Sequence, residues 1–143
     1  MDREILFRGK RMDNGKWVEG WYCTKKTGHY EGDRFMEEVQ SIIIANMTGG
    51  GYQYAVVDPR TVCQHTGLTD KNGNDIFEGD IVSCAEYECC GYIAWNESEA
   101  GFYFQVLLED GKYEEEQLYD YADELEVIGN IFDNPALLEG GAG

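Results

Sequence analysis

The chain has 143 residues, is 43% hydrophobic and 13% aromatic, and carries a net charge of −17. That length and apolar share suit a single domain with a core that needs no disulfide or metal staples. The charge is one-sided: Met1–Lys71 holds ten basic and ten acidic residues, whereas Asn72–Gly143 holds one basic residue, Lys112, and eighteen acidic ones, a balance that excludes duplex nucleic acid as a partner of the later half.

Glu4–Arg8 reads as a first strand. Asp13-Asn14-Gly15-Lys16 follows as a hairpin turn, since Asn-Gly supplies positive φ angles. Trp17–Tyr22 continues as a strand with large aromatics, which pack well on a pleated surface. The polar, glycine-containing stretch Thr24–Asp33 reads as a loop, and Arg34–Val39 fits either a helical turn or a strand. Ser41–Met47 and Tyr52–Val57 are strand-like around the flexible connection Thr48–Gly51. Asp58-Pro59 breaks the second of them. Asp70-Lys71-Asn72-Gly73 is another Asn-Gly turn, leading into Ile76–Val82, where Gly79 and Asp80 before Ile81-Val82 look like the strand entry of a small SH3-like barrel. Gly91–Trp95, Phe102–Leu108 and Lys112–Leu118 are further strands, the last two joined at Asp110-Gly111. Tyr119–Glu124 suits a short helix, Glu126–Phe132 a closing strand ended by Asn134-Pro135, and Leu137-Leu138 an apolar hook. The expected fold is all-β with little helix: a small, partly open SH3-like barrel with an added N-terminal β-hairpin. Residues 1–36 form the hairpin region, 37–139 the barrel-like body and 140–143 a frayed tail.

Three segments, in order, resemble the YopX family. They are Arg8-Gly9-Lys10-Arg11 with Asn14–Gly20; Thr66–Gly73 followed by Ile76–Val82; and Glu126–Pro135 with Leu137-Leu138. The resemblance implies a mainly β protein encoded by bacteriophages and prophages, without catalytic residues to carry over. The segments Lys25–Tyr54 and Cys84–Tyr103 match the family pattern least, which makes them places for specialised function.

The chemistry of individual motifs narrows the function further. Asp70, Asn72 and Asn74 alternate as an EF-hand opens, but Asp75 stands where that motif needs glycine and Ile81 where it needs a bidentate glutamate. Cys84-x4-Cys89-Cys90 lacks zinc-ligand spacing. Cys63 and His65 fall on one strand face, yet such cysteines more often act as small buried hydrophobes. Cys63 or Cys84 with His65 and Asp80 makes a nucleophile, base and acid on paper only, and a structural His65 is preferred. Gly49-Gly50-Gly51 lacks the lysine and helix of a phosphate loop. No metal or other cofactor is expected. Five cysteines with no paired spacing, no leader before Glu4 and no apolar run of membrane-spanning length point to a reduced cytoplasm, that of a bacterial host, and to no membrane partner.

Two binding readings follow. In the first, a non-enzymatic protein grips a small nucleotide signal, or counters a host defence component, with Trp17, Trp21, Tyr22 and Tyr30 beside Arg8, Arg11, Lys25 and Arg34. Stacking next to basic groups is how nucleotides and single strands are held, although strand aromatics are more often core. In the second, an acidic inhibitor that imitates DNA docks on a basic host protein through Glu114, Glu115, Glu116, Asp120, Asp123 and Glu124, with Glu109 and Asp110. Those carboxylates serve equally as a solvated face. A metal-dependent or thiol enzyme is the third reading and the weakest. The split between a basic, aromatic first part and an acidic remainder also points to a homo-oligomer, assembled head to tail.

Overall fold

The computed structural model describes residues 6–46, 49–84, 89–107 and 112–139. The chain divides into two compact units, one spanning Glu4–Gln64 and the other Met1–Arg3 with His65–Gly143.

In the Glu4–Gln64 unit, β1 (Phe7–Lys10) and β2 (Trp17–Glu31) form the expected N-terminal hairpin. Its turn carries Gly15 at φ 71°, and Asn14 Oδ1 accepts the Lys16 N–H at 2.9 Å. β3 (Arg34–Asn46) and β4 (Tyr52–Val57) extend the antiparallel sheet, and the first two residues of β5 (Cys63–Thr69) pair with β1. The strand order is β4-β3-β2-β1-β5. Between β4 and β5 the chain makes a one-turn 3₁₀ helix, Pro59–Thr61, whose N-cap Asp58 accepts the Arg60 N–H at 3.0 Å. Ile43, Ala55 and Val57 are buried together with Gly9 and Gly20 on one face. A Cβ on Gly20 would collide with the carbonyl oxygen of Ile44, so only glycine lets β2 and β3 approach there.

The stretch Thr24–Asp33 is not a loop. β2 runs on to Glu31 and pairs with β3 in unbroken register from Trp21↔Ile44 to Glu31↔Arg34. Gly32 at φ 63° opens the two-residue connection. A Gly-Asp pair is a hairpin signal, because a tight hairpin needs positive φ at its first central residue. Arg34–Val39 is therefore strand, not a helical turn.

In the His65–Gly143 unit, the rest of β5 pairs with β6 (Asp75–Phe77). A five-stranded antiparallel sheet has the order β10-β9-β8-β7-β11, formed by β7 (Asp80–Cys84), β8 (Cys89–Asn96), β9 (Gly101–Leu107), β10 (Tyr113–Gln117) and β11 (Leu125–Asn130). Among the described residues neither sheet closes into a barrel. The architecture is all-β with little helix, arranged as antiparallel sheets. The sharp bend at Glu78-Gly79, with Gly79 at φ 85°, delivers Ile76, Phe77, Ile81 and Val82 inward, all within 2% of complete burial. Around Ile76, Val82, Ile93, Phe104, Val106, Leu118 and Leu125 lies the core of this unit. The short helix α1 (Leu118–Tyr121) contributes Leu118 to it, and Tyr121 packs its ring 5.8 Å from that of Phe104.

Asp70 fastens the turn before β6. Its Oδ1 accepts the N–H groups of Asn72 and Asn74, each at 2.9 Å, and its Oδ2 accepts that of Val127 on β11, also at 2.9 Å. Burial works against the charge, but the three backbone donors outweigh it and hold the carboxyl below the usual aspartate range. Strand β11 stops at Asn130 instead of reaching Phe132, because Asn130 Oδ1 accepts the N–H groups of Phe132 and Asp133 and turns the chain. Helix α2 (Ala136–Glu139) follows and carries Leu137 and Leu138. No helix among the described residues is long and apolar enough to cross a membrane. The start of the expected first strand at Glu4-Ile5, the turn at Asp110-Gly111 and the tail 140–143 lie outside the described residues.

Candidate functional site: an aromatic and cationic sheet face

Side chains alternate between the faces of a sheet, so the register of β1–β4 sorts the aromatic and basic residues of the Glu4–Gln64 unit. Lys10 stands opposite Trp17 and Arg8 opposite Glu19. Trp21 stands opposite Ile44 and Lys25 opposite Gln40. Ile44 and Asn46 in turn face Tyr54 and Tyr52 on β4. One face therefore presents Arg8, Lys10, Trp17, Trp21, Lys25, Tyr52 and Tyr54, with the exposed Glu19 between Trp17 and Trp21.

Their contacts with one another are cation–ring and ring–ring contacts. The Arg8 guanidinium carbon lies 4.7 Å from the Trp17 ring centre and Lys10 Nζ 5.5 Å from it. Trp21 and Tyr52 meet at 5.9 Å with rings tilted by 43°, and Lys25 Nζ lies 5.6 Å from the Tyr54 ring centre. Trp21, Tyr52 and Tyr54 are 46%, 65% and 60% exposed. Large aromatics grouped in the open make this face the candidate binding surface, because scattered single ones are what an ordinary surface shows.

The remaining residues expected at a binding site lie elsewhere. Tyr22 belongs to the opposite face, with its ring 5.6 Å from Phe7 and its hydroxyl 3.2 Å from Ser41 Oγ. Tyr30 and Arg34 sit at the tip of the β2–β3 hairpin, where Tyr30 meets Phe35 edge-on at 5.2 Å. Nine residue steps along the strand separate Tyr30 from Trp21, roughly 30 Å. Arg11 is held in a bidentate pair with Asp13 at 2.8 and 2.9 Å, and the hydrogen bond from Arg11 keeps the Asp13 carboxyl below its ordinary range. Tyr52 and Tyr54 escape a sequence reading. The Tyr-x-Tyr spacing places them on one face, but only the pairing of β3 with β4 puts that face beside Trp21.

The acidic residues divide as well. Glu114, Glu115 and Glu116 are consecutive on β10 and so alternate in direction. Glu115 accepts hydrogen bonds from Asn96 Nδ2 at 3.3 Å and from Gln105 Nε2, while Gln105 Oε1 accepts the Tyr92 hydroxyl at 2.7 Å. It is a member of a polar ladder on the five-stranded sheet. Glu114, Asp120, Asp123 and Glu124 are exposed and Glu116 is half-buried. Glu109 and Asp110 lie outside the described residues.

Cys63 is buried and its thiol donates to the Thr61 carbonyl at 3.3 Å. His65 stacks obliquely on Phe77 at 5.1 Å, with Nε2 3.5 Å from Asp75 Oδ1. Cys84 is part of the core around Phe104, and Cys90 is half-buried. The side chain of Cys89 lies outside the described residues. Among the described residues no group of three or more His, Cys, Asp or Glu side chains is placed to hold a metal ion.

The family described as YopX protein matches residues 6–139. The chain belongs to the YopX family. Membership suggests a phage-type protein. Among solved structures, the crystal structure of protein EF1440 from Enterococcus faecalis is similar, with 26% identity, 94% of this chain and 98% of that chain covered, and a TM-score of 0.48. Comparison with curated proteins gives no match. The face built by Trp21, Tyr52 and Tyr54 is thus a feature of this YopX-family chain read from its own residues.

Proposed function

We propose that this YopX-family protein is a non-enzymatic binding protein, acting in the cytoplasm of a bacterial host, that takes a small nucleotide signal on the Trp21 face and so counters a host defence component. One observation carries the reading: Trp21, Tyr52 and Tyr54 are exposed side by side, with Lys25 over Tyr54. A base has a π-face for these rings, and its phosphate finds Lys10 and Lys25 at the margin of the same face. A panel of mononucleotides and cyclic dinucleotides, followed by thermal shift, tests it. Stabilisation by at least one member, lost in Trp21→Ala and Tyr54→Ala, supports the reading; no stabilisation by any member overturns it.

A second reading rests on a different observation, the exposure of Glu114, Asp120, Asp123 and Glu124 within a stretch of the chain that is almost free of lysine and arginine. It makes the protein an acidic inhibitor of a basic host protein. Such binding weakens steeply with salt. A pull-down from host lysate that is unchanged in a Glu114→Gln, Asp120→Asn, Asp123→Asn, Glu124→Gln variant ends that reading.

A further inference from the structure

Beyond Tyr22, the β2–β3 hairpin becomes a free ribbon. Every residue of β2 from Cys23 to Glu31 is exposed. β1 pairs with β2 only along Trp17–Gly20, and β4 pairs with β3 only along Ser41–Asn46. No other described strand borders Thr24–Glu31. Tyr30, Phe35 and Val39 are 72%, 53% and 58% exposed on this ribbon, all on the face opposite Trp21. An isolated two-stranded ribbon is marginal in water, and three or more strands are needed for stability. An exposed β2 edge with its unpaired N–H and C=O groups is a template for another strand.

The charges on that edge select the strand. Lys25 and Glu31 flank Gly28 at equal distances along β2. In an antiparallel pairing of two β2 strands with Gly28 at the two-fold axis, Lys25 of each copy stands opposite Glu31 of the other, and Lys26 stands opposite Tyr30. Residues opposite one another in this register share a face, so the Trp21 faces of both copies stay on the same side of the joined sheet. A register centred between Lys25 and Lys26 sets lysine against lysine, and one centred on Glu31 sets glutamate against glutamate. Within its own ribbon Lys26 is 3.6 Å from Glu37, and Glu31 is 3.4 Å from His29 with both of those side chains more than half exposed. The exposed Lys25 and Glu31 are the pair that this register sets opposite one another. Two ribbons joined in this way make four strands, β3-β2-β2-β3, with Lys26 of the second copy opposite the exposed Tyr30.

We infer that the β2 edge is a self-association surface whose occupant is a second copy of this chain, paired antiparallel through β2 about Gly28. The interface is isologous, not head to tail; it shares Lys25 with the nucleotide-binding reading, but its test reads association with no nucleotide present. Sedimentation equilibrium of the full chain across the micromolar range tests it. A reversible dimer is expected. Lys25→Glu and Glu31→Lys each set like charges across the axis twice, and each weakens the dimer about tenfold. The double variant Lys25→Glu/Glu31→Lys recreates both ion pairs and restores the dimer to within about twofold of the original. Circular dichroism of all three variants confirms that the fold is retained. A monomer at every concentration overturns the inference. So does association indifferent to both single reversals, or a double variant no tighter than the singles.

Discussion

The backbone N–H of Val127 donates to Asp70 Oδ2 at 2.9 Å, tying β11 to a turn that lies 57 residues earlier in the chain. The other carboxylate oxygen is occupied by Asn72 and Asn74. The residue that begins an apparent calcium loop thus spends its charge on the protein's own backbone.

Asp70→Asn is expected to destabilise the fold by about 1–3 kcal/mol at neutral pH, since hydrogen bonds to a charged acceptor are being weakened in a buried place. The folded Asp70 carboxyl lies below its usual value. Its stabilisation is therefore complete above the unfolded pKa of about 3.9 and is lost as pH falls through the lower folded value. Urea unfolding at neutral pH and in the acid range below about pH 4 checks both points. The variant shows a smaller loss on acidification than the parent chain.

Trp21→Ala and Tyr54→Ala separate binding from folding. Both side chains are about half exposed or more, so each substitution changes stability by less than about 1 kcal/mol. If the nucleotide reading holds, each lowers affinity by about 1–3 kcal/mol, the worth of one stacked base. Isothermal titration and thermal melts on the same samples measure the two effects.

Gly20→Ala gives the opposite pattern. Its methyl group meets the Ile44 carbonyl in the β2–β3 contact, where neither backbone can yield cheaply. A loss of about 2–4 kcal/mol is expected in chemical denaturation, well beyond the usual effect of adding one methyl group.

Glu115→Ala is expected to cost about 1–3 kcal/mol, because Gln105 and Asn96 lose the acceptor they share. Glu114→Ala, one residue earlier and exposed, changes stability by less than about 0.5 kcal/mol. Parallel urea titrations compare the two.

Much of the fold is legible where glycine marks a forced turn. Asn14-Gly15 and Asn72-Gly73 sit in the expected turns, and the buried Ile76, Phe77, Ile81 and Val82 come in the run read as a bend into the core. Thr24–Glu31 is not legible, because both faces of that ribbon meet water and leave no alternation of apolar and polar residues to mark a strand. Only Gly32-Asp33 betrays it. At the candidate site, period-two alternation is enough to set Trp17, Trp21 and Lys25 apart from Tyr22. Adding Tyr52 and Tyr54 requires the β3–β4 register, which pairing across a glycine-rich connection sets and no local pattern encodes.

The boundary at Gln64/His65 has a consequence for synthesis on the ribosome. The β1–β4 part of the Glu4–Gln64 unit is built from neighbouring hairpins, and the unit is complete in chain order once Gln64 pairs with Phe7, so its hairpins are free to fold early, as contacts close in sequence form fast. The later unit must wait for β11, whose Val127 closes on Asp70. A nascent chain stalled before that strand carries a finished first half and an acidic second half still searching for its last partner.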